Sequence, residues 1–173
     1  MATLVLTVLG DDRSGLVSAL SGVIAAHGGS WERSQMARLA GKFAGIVLVR
    51  VPNRQADALI DELGPLSTEG LLDVTVERTD MPAQDASAIR LLLELVGGDR
   101  PGIVHDISRA LSDLDVSIEE LSTQTREAPM AGGMLFEATA TLLAPRTVQV
   151  PELRGVLEEI ANELMVHLEL STD

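Results

Sequence analysis

The sequence predicts an α+β chain made of two tandem copies of one βαββαβ unit, and three observations carry that prediction. First, the chain repeats. Displaced by 87 residues, 3–36 lies on 90–123 without a gap, and ten positions are identical: Leu4/Leu91, Leu6/Leu93, Gly10/Gly97, Asp12/Asp99, Arg13/Arg100, Gly15/Gly102, Val17/Val104, Ser21/Ser108, Ser30/Ser117 and Glu32/Glu119. Chance would leave about two, so the repeat sets the architecture before any element is assigned. Second, each copy alternates short apolar runs with longer runs at helical spacing, in the same order. Third, 46% of the residues are hydrophobic but only 2% are aromatic. That is too apolar for disorder and implies an aliphatic core.

The elements follow in order. Leu4–Leu9 is a buried strand ended by Gly10. Ser14–His27 places Leu16, Val17, Leu20, Val23 and Ile24 on a helical face, and Gly28-Gly29 stops it. Trp31–Leu39 and Phe43–Val51 flank the turn signal Ala40-Gly41-Lys42. Arg54–Leu63 is a second helix and Leu72–Val76 a closing strand. The second copy predicts Leu91–Val96, Ile103–Leu114, Val116–Thr125, Leu135–Leu142, Glu152–Glu163 and Met165–Leu170. This order makes an antiparallel four-stranded sheet with two helices on one face, the ferredoxin-like plait. The right-handed crossovers push the outer strands apart. The units are expected at 1–78 and 88–173, with the polar segment 79–87, which carries Pro82, as linker. A unit this small has a modest core, so pairing of the units or dimerisation is expected.

Composition excludes several classes of function. Net charge is −13 and Lys42 is the single lysine, which argues against direct binding to nucleic acid. Phe43 and Phe136 fall on the third strand of each unit, but one aromatic per sheet is too few for RNA stacking. With no cysteine, disulfides, thiolate catalysis and cysteine zinc sites are ruled out. His27, His105 and His167 share no ligand spacing, so no metal is expected, and no cofactor motif is present. His27, at a helix end, reads as a contact to the C-terminal dipole. No run approaches the length of a membrane span and no leader pattern opens the chain, so a cytoplasmic protein is expected. Trp31 reads as a packing residue at the seam between units.

The sharpest feature is the loop after each first strand, Gly10-Asp11-Asp12-Arg13-Ser14-Gly15 and its copy Gly97-Gly98-Asp99-Arg100-Pro101-Gly102. Gly10 and Gly97 are expected to adopt backbone angles closed to other residues. Asp12 and Asp99 are expected to cap the helices, with Pro101 in a first helical turn. The N–H groups left over could receive a small carboxylate.

The strings Asp12-Arg13-Ser14-Gly15-Leu16 and Asp99-Arg100-Pro101-Gly102-Ile103 resemble the start of the ACT domain. Met36–Phe43, Ile118–Thr123, Ala128–Gly132 and Leu135-Phe136 resemble tandem-ACT proteins of the glycine cleavage transcriptional repressor type. The resemblance implies a regulatory protein without catalysis that binds a small amino acid where domains meet. One side of the site would be the loop, at Gly10, Asp11, Asp12, Arg13, Ser14 and Gly15, or at Gly98, Asp99, Arg100, Pro101 and Gly102. The other would be a neighbour's second strand, beginning at Ser30 or Ser117, where many family members carry Asn. Signalling would run through a protein partner or a homodimer. The alternative reading is a regulatory or structural subunit of an amino-acid enzyme, with no ligand of its own.

Overall fold

A computed structural model describes residues 1–80, 88–130 and 132–172. They form two compact units, one before and one after residues 81–87. Unit 1 runs β1 (Ala2–Asp11), α1 (Leu16–Ala26), β2 (Ser30–Leu39), β3 (Lys42–Val51), a 3-10 turn at Asn53–Gln55, α2 (Ala56–Thr68) and β4 (Asp73–Arg78). Unit 2 runs β5 (Ile89–Gly98), α3 (Ile103–Asp113), β6 (Ser117–Glu127), β7 (Met134–Ala144), α4 (Val150–Leu164) and β8 (Val166–Thr172). Both sheets are antiparallel, ordered β2-β3-β1-β4 and β6-β7-β5-β8, so β2 and β6 are edge strands. Of the linker expected at 79–87, residues 81–87 lie outside the described residues; the Thr79 N–H still bonds the Thr3 carbonyl at 3.0 Å.

Each unit has its own aliphatic core. In unit 1, Leu4, Leu6 and Val8 point inward from β1, as alternation requires, and meet Leu16, Leu20 and Ile24 at four-residue spacing on α1. In unit 2, Leu91, Leu93 and Leu95 meet Ile103, Ile107 and Leu111. Fully burying one such side chain contributes about 1.5–3 kcal/mol. α1 ends with Gly28 at φ +65° and the Gly29 N–H on the Ile24 carbonyl, 2.9 Å. α3 ends the same way with Asp115 at φ +58° and the Val116 N–H on Leu111.

One element departs from expectation. α2 does not stop at Leu63 but runs through Gly64 and Pro65 to Thr68. Pro65 gives up one helical hydrogen bond, and burial of Leu66 against the core holds the extra turn in place.

Candidate functional site

The two loops share a backbone design that differs from the one expected. The residue before each helix is a glycine in the left-handed region, Gly15 at φ +91° and Gly102 at φ +96°, and no side chain caps either helix. Asp12 and Asp99 are therefore not caps, because three residues separate each from the first helical residue. Their own N–H groups instead tie the loop to the neighbouring hairpin, Asp12 to the Gly41 carbonyl and Asp99 to the Met134 carbonyl, both at 2.8 Å. Pro101 precedes Gly102 and so lies outside α3, not in its first turn. Gly10 and Gly97 do not use positive φ. They are small because the chain passes close by: a Cβ on Gly10 would meet the Leu71 carbonyl oxygen at 2.5 Å, and one on Gly97 would meet Val166.

The loops differ in charge. In unit 1, Lys42 donates to Asp11, Arg38 Nη1 donates to Asp12 Oδ2 at 3.3 Å, and Arg13 Nη2 reaches the Gly70 carbonyl at 3.2 Å. The hydrogen bond from Lys42, then its charge, hold the Asp11 carboxyl below the usual carboxylate range; Asp11 in return raises Lys42. In unit 2 the strand pair Asp11↔Lys42 becomes Gly98↔Leu135, and Arg38 becomes Thr125. Among the described residues, the Asp99 amide is what ties that loop to its hairpin.

Ser30 and Ser117 are not brought to these loops within a unit. Gly10 pairs with Phe43, whereas Ser30 pairs with Arg50, seven residues along β3. At roughly 3.3 Å per residue that is about 23 Å. The second unit repeats the arrangement, with Gly97 on Phe136 and Ser117 on Leu143. Both edge strands bulge two residues beyond these positions, at Glu32 and Glu119. Glu32 accepts from the Ser30 hydroxyl and from Arg50 Nε at 3.2 Å; the hydroxyl first, then the guanidinium, lower its pKa. Glu119 accepts from Arg90 at 2.8 Å.

The other candidates resolve simply. His27 Nδ1 faces the Val23 carbonyl at 3.0 Å and Nε2 lies 3.1 Å from Glu62, a clip between the two helices of unit 1. No cluster of metal-ligating side chains occurs among the described residues. No helix among them is long and apolar enough to cross a membrane. Trp31 is half-buried against the core of its own unit, and its Nε1 donates to Ser34 Oγ at 3.1 Å. Sequence reasoning missed two features. One is the hairpin as partner of the loop, which the single lysine beside Gly41 could have signalled. The other is an apolar cleft in unit 2 between α3 and β6, signalled by Ile118 and Leu121 falling on the exposed edge strand.

The ACT domain family model matches residues 2–77 and again 90–171. The chain belongs to the ACT domain family. Both halves are thus ACT units, joined in tandem. Among solved structures, a protein described as unknown from Galdieria sulphuraria is 27% identical with a TM-score of 0.83, the match covering 99% of this chain and 98% of that one. A candidate glycine cleavage system transcriptional repressor is 17% identical with a TM-score of 0.73, over 99% of this chain and 97% of that one, a likeness of fold. No curated protein matches the sequence.

Proposed function

We propose that this tandem-ACT chain is a non-catalytic regulatory protein that binds a small amino acid where ACT units meet and signals through protein–protein contacts. The observation that supports this reading is the uncapped start of α1 and α3, behind Gly15 and Gly102, in two units of a family whose domains generally bind amino-acid effectors and oligomerise. N–H groups there are free for a carboxylate. The proposed site joins the loop residues Gly10–Gly15 or Gly98–Gly102 to a second unit's Ser30 or Ser117. The 23 Å separation within a unit argues for two units, since one free amino acid cannot span it. We take 1–78 and 88–173 as the units and 79–87 as the link between them.

The mechanism is linkage. An effector favours one arrangement of units only by its differential affinity for the two states. At one hundred times its dissociation constant it stabilises the competent state by about 2.7 kcal/mol. With a net charge of −13, transcriptional output, including control of glycine metabolism as the family resemblance suggests, would pass through a protein partner. Thermal shift and calorimetry against the twenty amino acids test this reading. A saturable rise in melting temperature supports it. No shift with any of them favours a structural or enzyme-subunit role without a ligand. A gel shift by the pure protein at physiological salt, or substrate turnover, overturns it.

A further inference from the structure

We propose that the cleft in unit 2 receives the aliphatic side chain of a free amino acid, so that this unit responds to leucine-like effectors and not to glycine; the inference rests on the amino-acid-binding reading above. The cleft opens between α3 and β6 and encloses about 30 Å³ of space open to a water-sized group. Leu93, Ile107 and Phe136 line its depth, while Val104, Ile118 and Leu121 form an exposed rim. Its one hydroxyl, on Ser108, donates to the His105 carbonyl at 3.1 Å. A polar or charged group entering would lose its water without gaining a partner, whereas a hydrocarbon branch would gain by burial.

Unit 1 supplies an internal control. Strand register and the 87-residue repeat place Trp31, Ser34, Met36 and Val47 where unit 2 has Ile118, Leu121, Thr123 and Ala140. There Val47 is fully buried and both Trp31 and Met36 lie against the core, the indole held by Ser34. In the place that unit 1 fills with its own side chains, unit 2 has the small Ala140 on the cleft wall, while Thr123 is exposed on the strand and does not line the cleft. The cleft is closed on two sides by elements of the same unit, and its size suits a few carbon atoms. A stable protein partner needs a broad surface of roughly 800 Å² on each side. These features favour a small hydrocarbon group as occupant.

The test is calorimetry on the full chain with L-leucine, L-valine, L-serine and glycine. Each CH₂ buried is expected to tighten binding about fourfold, and leucine to bind on the order of one hundredfold tighter than glycine. Ala140→Val restores the unit 1 residue and fills the cleft from the sheet. Ser108→Leu fills it from the helix and serves if the first variant misfolds. Each is expected to reduce leucine binding to the level of glycine without changing the emission of Trp31 in unit 1. Glycine or serine binding as tightly as leucine overturns the inference but leaves the broader reading standing, as does leucine affinity that survives both variants. Failure of every amino acid to bind removes the broader reading and this inference together. A self-association that both variants abolish, with no leucine binding, also overturns it and assigns the cleft to a second copy of the chain.

Discussion

Two copies of one ancestral pattern have kept the same frame and diverged in what fills it. Unit 1 is locked: ion pairs hold its loop to the hairpin, and Trp31 and Met36 cover the helix–edge groove. Unit 2 holds its loop by the Asp99 amide without the Asp11–Lys42 and Asp12–Arg38 pairs, and has an open groove and most of the net charge. Residues 88–173 carry six arginines against fifteen acids, a net −9, whereas residues 1–80 carry seven basic residues against ten acids, a net −3. Among the identical positions are glycines where the chain passes close or turns left-handed, and a glutamate at each edge bulge. The arginine facing that glutamate has even changed strands. It is Arg50 on β3 in unit 1 and Arg90 on β5 in unit 2, where the register places Thr3 and Leu143 in the exchanged positions. The geometry of the pair is thus retained independently of the strand that supplies the cation.

The largest effect expected from this contrast lies in the cores. Leu20→Ala empties a closed site and should cost about 3 kcal/mol, whereas Ile107→Ala borders the open cleft and should cost about half as much. Urea unfolding checks both, with the single tryptophan, Trp31, reporting unit 1 and far-ultraviolet circular dichroism reporting the two units together. Equal losses would mean that the cleft is filled in solution. Next, Gly10→Ala drives a methyl into the Leu71 carbonyl and should cost about 2 kcal/mol, while Gly98→Ala, with nothing near its added carbon, should be nearly neutral. Smaller still is a transplant: Gly98→Asp with Leu135→Lys copies the Asp11–Lys42 pair into unit 2 and should change stability by no more than about 0.5 kcal/mol, since the pair is exposed. A large gain would show that the unit 2 loop is strained without the pair.

The smallest effect is in acid. Asp11 has a lowered pKa in the folded state, so its contribution is present above the ordinary carboxylate pKa and is lost as pH falls through the lower folded value. Lys42→Ala should return Asp11 to the ordinary range in a carboxylate NMR titration. Glu137, lowered by Arg126 first and Gln124 second, is the unit 2 control and should not move.

Much of this fold was legible from the chain because its signals are local. Apolar alternation located the strands to within two residues at most ends, and Gly28-Gly29 marked a helix end that the backbone confirms. The extra turn of α2 was not legible, since Gly64-Pro65 reads as a stop and only the burial of Leu66 overrides it. The loop strings were visible, but the roles of their residues were not. Asp12 and Asp99 look like caps in one dimension, and only the three intervening residues, curled through a left-handed glycine, turn their amides toward the hairpin. The resemblance pairs the loop at Gly10 with Ser30 of a neighbouring unit, and within one unit the register keeps the two seven residues apart along β3.

By itself the amino-acid sequence determined the duplication, the order of elements, the aliphatic core and the acidic surface, because periodicity and composition act over a few neighbouring residues. The tertiary structure alone decided which glycines needed space and which needed a left-handed backbone, which end of each unit holds the loop, and that one groove is covered while its counterpart is open. Those properties depend on distances between residues remote in the chain, set when strands take their register and a helix closes over one side chain and not another.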